Sequence, residues 1–244
     1  MALMRGLSPR RGRAGFARPR CPSGGESTEG LMGATAEKTI HFAGKTMGGH
    51  RHVCAFFDTP EEEYGVTLPF VKEGIQRSEY GFHIVDPALR SDYVGRIEGA
   101  GIPVTALERA GQFEVRSWEE AYLRGGSFDK NAMLALLEGV LKNGKARGFP
   151  LTRLVAHMEW ALEDRQGVDD LVEYETRLNF FLPKYPDPVI CTCSTSRFGG
   201  GVVMDILRTH PVVIIGGVLQ ENPFYAPPEE FLRELHERNG SARH

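Results

Sequence analysis

Two kinds of apolar pattern alternate along this chain. Short apolar runs bounded by Gly, Pro or Asp are typical of buried strands, and longer stretches with apolar residues three or four positions apart are typical of helices packed on a sheet. We predict strands at 51–57, 79–86, 112–116, 151–158, 189–193, 211–215 and 216–220, and helices at 61–76, 92–100, 128–147, 168–182, 199–208 and 228–238.

This alternation of strands and helices predicts the fold class. Parallel strands joined by helical crossovers form a sheet whose two faces are both covered. We therefore predict a three-layer α/β domain with a largely parallel sheet. In such folds ligands bind in the crevice at the carboxyl ends of the strands.

The turn after the first strand limits which ligand fits there. Thr59 can cap the following helix, Pro60 suits its first position and Glu62 can close a capping box. In nucleotide-binding α/β folds this turn carries glycines and a lysine that bind phosphate. Residues 58–63 contain neither and include four acids. We therefore predict a fold of the P-loop type without a functional phosphate-binding loop, and no ATPase activity.

Composition narrows the setting of the protein. With 244 residues, 41% of them hydrophobic, the chain is long enough for one large domain. Its four cysteines are too few and too unevenly spaced for a disulfide framework. No apolar run reaches the ~18 residues of a membrane span. We expect a cytoplasmic protein with reduced thiols, no membrane contact and no cofactor.

The first 40 residues differ from the rest. Residues 1–35 hold six arginines against two glutamates, a charge of +4, while the remainder of the chain carries −7. This composition predicts a disordered tail over 1–40 and a single folded domain over 41–240. A basic tail can touch nucleic acid or anionic lipid, but we interpret it as an inert leader or an upstream extension. The acidic domain offers no surface for nucleic acid.

Polar side chains recur on and after the predicted strands. His52 and Cys54 are two positions apart on the first strand, so their imidazole and thiol face the same way. The strand at 151–158 runs into a second polar group that includes His157 and Glu159. We predict a ligand-binding site built from residues at the strand ends: His52, Cys54, Asp58, His157, Glu159 and Trp160.

Three chemistries are open for these residues. His52, Cys54, His157 and Glu159 are suitable zinc ligands, but HxC on a strand is a weak metal signature. Cys54 could instead be the nucleophile of a hydrolase that uses His157 and Glu159, since His52 lies ~6–7 Å away along the strand, too far to activate it. We favour noncovalent recognition of a small molecule, with no metal and no catalytic residue.

Several blocks of the sequence resemble one known family. They are HVCAFFDTPEEEY, HIVDP, HMEWAL, YETRLN, VICTCSTSRFGG and THPVVIIGGVLQENPFYAPPEEFL. Together they resemble the MEDS domain, a sensory domain of prokaryotic signalling proteins, from about His50 to Arg238. The family's HxC motif falls on His52 and Cys54. Where the family prefers an aromatic residue and an acid, this chain has Cys193 and Ser194.

The resemblance implies both a fold and a role. The family is similar to RecA-like ATPases of the circadian-clock type that have lost the phosphate-binding loop, with Glu159 near the end of the former acidic strand. It implies sensing of simple hydrocarbon derivatives and a relay to a signalling kinase or a transcription regulator. A non-catalytic, ATPase-like interaction protein is the alternative that the same resemblance leaves open.

Overall fold

The computed structural model describes residues 39–241. The predicted disordered tail lies outside the described residues except for Thr39 and Ile40, and Ile40 is buried. The strands in the described range are β1 (His41–Phe42), β2 (Lys45–Thr46), β3 (His52–Phe57), β4 (Tyr80–Val85), β5 (Phe113–Ser117), β6 (Thr152–His157), β7 (Val189–Ser194), β8 (Val212–Ile215) and β9 (Val218–Glu221). The helices are α1 (Pro60–Gln76), α2 (Arg90–Gly99), α3 (Val104–Ala110), α4 (Lys130–Ala146), α5 (Leu171–Phe181), α6 (Gly200–Thr209) and α7 (Pro228–Ser241).

Seven strands form one sheet in the order β5-β4-β6-β7-β3-β8-β9. Neighbouring strands are parallel except β8 and β9, which form an antiparallel hairpin. The hairpin turns at Gly216 and Gly217, whose φ angles of 57° and 71° suit a type I′ turn. β3 pairs with β7 on one side and β8 on the other, so the first predicted strand lies inside the sheet.

Helices cover both faces of the sheet. The hairpin β1–β2 and helices α1, α2 and α3 pack on the face that carries Val53 and Ala55. Helices α4, α5 and α6 pack on the face that carries Cys54 and Phe56, and α7 contacts α5 and α6. The predicted three-layer, largely parallel α/β fold is confirmed. Within residues 39–241, none of the helices combines the length and hydropathy that a bilayer span requires.

Each predicted strand and helix has a counterpart within a few residues. The predicted cap is also present, because Thr59 Oγ1 accepts a hydrogen bond from Glu62 N. Two features were not predicted: the hairpin β1–β2 and helix α3. Two-residue strands are too short to show a period, and α3 buries a single residue, Val104, so neither leaves a clear apolar pattern.

The strand boundaries place the candidate residues at two edges of the sheet. His52 is the first residue of β3, and His210 lies two residues before the start of β8, so both lie at the amino edge. Asp58 follows the carboxyl end of β3, His157 ends β6, and Glu159 comes two residues later. This corrects the expectation that all the candidate residues share one crevice at the carboxyl ends.

Asn222, just after β9, fixes the chain at the amino edge. Its Nδ2 donates to the carbonyl oxygens of Leu207 at 2.6 Å and His210 at 2.7 Å. Its Oδ1 accepts from Phe224 N at 3.0 Å. The buried Asn222 side chain therefore gives the His210 carbonyl a donor and adds a second donor to the Leu207 carbonyl, which also accepts from His210 N at 3.3 Å, and it holds His210 in place.

We expect Asn222→Ala to lower the free energy of unfolding by about 1–3 kcal/mol, because the His210 carbonyl loses its side-chain donor and the Leu207 carbonyl loses one of its two donors. Gln220→Ala, at an exposed position of β9, is the control and should change it by no more than ~0.5 kcal/mol. Urea denaturation measures both variants. Equal effects would contradict the role given to the Asn222 amide.

Candidate functional site

Four side chains form a polar group at the amino edge, which we call the amino-edge cluster: His52, Glu175, Cys191 and His210. One potential ligand atom from each lies within 4.8 Å of the others. All four residues are buried, and Glu175 and His210 have no exposed surface. Because burying polar groups is costly unless they are paired, the cluster is the strongest candidate for a functional site.

Strand pairing and helix docking bring the cluster together. Cys191 on β7 pairs with Cys54 on β3, which places its thiol on the same face as His52. Glu175 lies on the buried face of α5, which packs on that face of the sheet. His210 directly follows the last residue of α6. Strands β3 and β7, helix α5 and the segment after α6 therefore each contribute one side chain to the cluster.

Glu175 Oε2 is the common contact of the other three members. It lies 3.2 Å from His52 Nε2 and 3.4 Å from His210 Nε2. Cys191 Sγ lies 3.7 Å from the same oxygen and 3.8 Å from His52 Nε2. The two imidazole rings also contact each other, with centroids 4.0 Å apart. The carboxylate therefore organises the cluster.

Hydrogen bonds outside the cluster set the direction of both imidazoles. Asn179 Nδ2 donates to Thr209 O at 2.6 Å and to a carbonyl of α5 at 3.2 Å. Asn179 Oδ1 is therefore the atom that accepts from His52 Nδ1, at 3.1 Å. His210 Nδ1 donates to Ile206 O at 2.9 Å. With their protons on Nδ1, both rings direct the Nε2 lone pair into the cluster.

The pKa values follow from burial and from the neighbours. Burial opposes ionisation of Glu175, but His210 and His52 outweigh it and lower the pKa of the carboxyl group to about 2. Burial lowers the pKa of the His52 imidazole and raises the pKa of the Cys191 thiol. Burial therefore opposes the charged forms of His52 and Cys191, whereas the two histidines favour the ionised form of Glu175.

A cavity of about 320 Å³ adjoins the cluster. His52 and Asn179 form part of its wall. The remaining lining residues are Gly49, His50, Arg51, Leu182, Pro183, Tyr185, Pro211 and Tyr225. Apolar side chains with a few polar groups are typical of small-molecule sites. His52 thus belongs both to the buried cluster and to the surface that a small molecule in this cavity would touch.

Cys54 shares the face of His52 but is not part of the cluster. Its thiol is fully buried and lies beside Cys193. Burial raises the pKa of Cys54, which disfavours the nucleophilic thiolate. The strand pairing places Cys191 where the HxC pattern suggested Cys54, so only the histidine of that motif reaches the cluster.

His157 and Glu159 do come together, but at the carboxyl edge. His157 Nε2 lies 3.5 Å from Glu63 Oε1 of α1, and the His157 ring meets Tyr93 of α2 edge-on. His157 therefore lies on the α1–α3 face, whereas Cys54 lies on the opposite face. A Cys54–His157 pair cannot form across the sheet. This corrects both the hydrolase alternative and the alternative zinc set.

Asp58 and Trp160 occupy two further places. Asp58 Oδ1 accepts from Thr195 Oγ1 after the carboxyl end of β3. Trp160 is fully buried and stacks on Tyr122 with ring centroids 4.4 Å apart. The aromatic stack belongs to the core between the sheet and α4–α6. Of the six predicted ligand residues, the structure therefore brings only His52 to the amino-edge cluster.

The sequence held weak signals for the residues that were missed. Glu175 and Asn179 are four positions apart in YETRLN, so they share one helix face, and that face also carries the apolar Leu171 and Leu178. Polar residues on the buried face of a helix are an unusual combination. Cys191 falls within the predicted strand at 189–193 with no signal of its own, and nothing in the local pattern marks His210.

The turn into α1 confirms that a phosphate cradle is missing. Glu62 Oε2 accepts from Asp58 N at 2.9 Å and Thr59 Oγ1 accepts from Glu62 N at 3.2 Å, so side chains already bind these backbone donors. The lining of the adjacent cavity of about 140 Å³ includes three acids, Glu63, Asp86 and Glu159, against one arginine, Arg197, and His157. A triphosphate would meet carboxylates where it needs donors.

We expect Mg²⁺–ATP to leave the thermal unfolding temperature unchanged and to release no phosphate above the buffer rate. Both expectations follow from the occupied donors and the acidic cavity wall at this edge. Differential scanning calorimetry measures the unfolding temperature, and a phosphate-release assay measures hydrolysis. Stoichiometric nucleotide binding would contradict this reading of the turn.

His83 on β4 lies in the core away from the cluster. It is fully buried on β4, its Nδ1 lies 2.6 Å from Tyr93 Oη, and its ring packs against Phe113. Burial, and to a smaller extent His157, lowers the pKa of His83 to about 3. The native state therefore keeps this imidazole neutral well below the pH at which the unfolded chain protonates it.

We expect His83→Phe to make the protein less sensitive to acid. The unfolded imidazole binds a proton below about pH 6.5, so lowering the pH from 7 to 5 costs the native state roughly 2 kcal/mol through this residue. In the variant this loss of unfolding free energy should be absent. Urea denaturation at both pH values measures it, and equal losses in the two proteins would contradict the assignment.

The fold and the turn define a three-layer α/β domain of nucleotide-binding architecture that lacks the phosphate loop. Residues 51–211 match the family described as MEDS, MEthanogen/methylotroph, DcmR Sensory domain. The match covers more than half of the chain, and the chain belongs to this family of sensory domains. All four residues of the amino-edge cluster lie within the matched range.

Individual relatives are more distant. The chain is 23% identical over 169 residues to the transcriptional repressor DcmR of Methylorubrum extorquens, which covers 69% of this chain and 61% of the repressor. The chain therefore spans less than two thirds of that relative's length.

Two solved structures are similar in part. One is a KaiC-like protein from Pyrococcus horikoshii OT3, with 17% identity, a TM-score of 0.49, and coverage of 68% of this chain and 69% of the other. The second is the flagellar accessory protein FlaH from Methanocaldococcus jannaschii, with 10% identity, a TM-score of 0.40, and coverage of 70% and 75%. At these TM-scores the fold assignment rests on the strand order and helical layers of this chain.

Proposed function

We propose that this sensory domain binds a small organic molecule in the amino-edge cavity and relays its presence to a regulatory partner without chemical turnover. One observation carries the proposal. His52 and Asn179 line the cavity and are also hydrogen-bonded within the group around Glu175. A molecule in the cavity would therefore touch side chains that connect the sheet to α5.

The cavity supports a ligand of the simple hydrocarbon-derivative class. Its volume of about 320 Å³ is near the lower end of the ~300–1,000 Å³ of small-molecule sites. Leu182, Pro211 and Tyr225 supply apolar surface, and His52 and Asn179 supply polar contacts. Short alcohols, halocarbons and methylated amines combine a small apolar body with one polar or polarisable atom, and such molecules suit this lining.

Asn179 supplies a route for the relay. Its Nδ2 donates to Thr209 O at 2.6 Å, which connects α5 to the end of α6, and α7 contacts both helices. A ligand that binds two arrangements of His52 and Asn179 with different affinity shifts the balance between them. The layer formed by α5, α6 and α7 then presents the change to a transcription regulator or a signalling kinase. The relative named as a transcriptional repressor supports an output of the first kind.

Two observations support binding without turnover. The turn at Asp58–Glu62 satisfies its own donors in place of a phosphate. The candidate nucleophile Cys54 and candidate base His157 lie on opposite faces of the sheet. We therefore propose a domain whose output is a conformational change.

A thermal-shift screen with short alcohols, halocarbons and methylated amines tests the proposal. A ligand at 100 times its dissociation constant should raise the free energy of unfolding by ~2.7 kcal/mol. Tyr225→Ala removes one wall of the cavity and should weaken binding about tenfold, a loss of ~1.4 kcal/mol in binding free energy. Isothermal titration of each active compound measures the affinity.

Leu89→Ala is the matched control, because Leu89 lines the cavity at the carboxyl edge and should leave the affinity unchanged. The opposite pattern, with binding weakened by Leu89→Ala and kept in Tyr225→Ala, would place the ligand at the carboxyl edge. A complete lack of response to all three compound classes would contradict the proposed ligand class.

A further inference from the structure

In the amino-edge cluster, two imidazole nitrogens face a carboxylate oxygen. The hydrogen bonds of Asn179 and Ile206 leave the Nε2 lone pairs of His52 and His210 facing Glu175 Oε2. His210 Nε2 and Glu175 Oε1 are buried without a hydrogen-bond partner. Buried lone pairs that face a carboxylate call for a positive charge among them, and either a proton on an imidazole or a metal ion bound between the side chains supplies it.

The distances between these atoms suit a tetrahedral metal ion. Zinc bonds of ~2.0–2.3 Å to nitrogen, oxygen and sulfur separate neighbouring ligand atoms by ~3.3–3.6 Å. Four of the separations in the cluster are 3.2, 3.4, 3.7 and 3.8 Å, and all lie within 4.8 Å. These four separations lie within a few tenths of an ångström of the tetrahedral range, and the other two, from His210 Nε2 to His52 Nε2 and to Cys191 Sγ, close to it only if His210 moves towards the other ligands.

The donor chemistry and the charge also fit. Two imidazole nitrogens, one thiolate sulfur and one carboxylate oxygen are ligands that zinc accepts. Carboxylate and thiolate together carry two negative charges, which a divalent cation balances, so the buried site becomes neutral. Asn179 Oδ1 and Ile206 O hold the outer nitrogens of the two histidines, which is the arrangement that ligating histidines usually have.

We propose that the amino-edge cluster binds one Zn²⁺ ion through His52 Nε2, Glu175 Oε2, Cys191 Sγ and His210 Nε2. Binding forms four metal–ligand bonds and breaks the Cys191 S–H bond, and the proton leaves to solvent. Four protein ligands fill the coordination shell, which is the pattern of a structural zinc site. The ion joins β3, β7, α5 and the end of α6 beside the cavity.

Cobalt substitution tests the site in the full chain. The purified protein is stripped with a chelator, dialysed and titrated with Co²⁺, followed by Zn²⁺. We expect one equivalent of Co²⁺ to produce the visible bands of tetrahedral cobalt and a near-ultraviolet thiolate-to-cobalt charge-transfer band. One equivalent of Zn²⁺ should then remove both signals.

Three variants identify the ligands. Cys191→Ser should lose the charge-transfer band, and Cys193→Ser should keep it. Cys193 is the matched control because it is a buried thiol two positions further along the same strand and on the same face. Asn179→Ala removes the outer contact of His52, together with the hydrogen bonds from Asn179 Nδ2 to Thr209 O and Glu175 O, but leaves all four ligands in place, and it should weaken zinc binding about 10–100-fold in competition with a chelator.

Two results would overturn the proposal: no stoichiometric Co²⁺ or Zn²⁺ bound by the wild-type protein, or a charge-transfer band that survives Cys191→Ser. The first is read on the wild-type chain, so it does not depend on how the variants fold, and circular dichroism checks the folding of each variant. Metal binding is measured without any small organic ligand, so it can fail while the Tyr225→Ala titration still supports the sensory function.

Discussion

The buried carboxylate of Glu175 constrains the rest of the amino edge. It has no exposed surface, and a charge in such a place is tolerated only when other groups compensate it. Its Oε2 is the atom that His52, Cys191 and His210 all approach. Compensating this one carboxylate of α5 therefore draws on side chains from β3, from β7 and from the segment that follows α6.

The proposed ligand site lies at the edge of the sheet opposite to the usual one. Parallel α/β sheets bind ligands where the strands end, yet here the turn at Asp58–Glu62 is closed by its own side chains. The cavity at that edge is small and lined by acids. The amino edge has the larger cavity, and His52 joins that cavity to the cluster. The proposed ligand site therefore lies at the amino ends of the strands, whereas nucleotide-binding α/β folds bind phosphate at the carboxyl ends.

The fold was predictable from the sequence because apolar periodicity and capping are local properties. The turn at Thr59 and the strand at β3 lie where the pattern placed them. The site was predictable only in part. His52 was recognised from the HxC spacing. That Cys191, and not Cys54, joins it depends on the pairing of β3 with β7. Cys191 lies 139 positions from His52 in the sequence, so no local pattern connects the two. Glu175 joins them only when α5 docks on the sheet.

Anomalous diffraction at the zinc absorption edge, from crystals of the zinc-loaded protein, tests the central claim most directly. The account requires one peak about 2.0–2.3 Å from the ligand atoms of His52, Glu175, Cys191 and His210. A peak at the carboxyl edge beside His157, or no peak at either edge, would contradict it. A peak at the amino-edge cluster would also define the side-chain geometry that a small molecule in the cavity contacts.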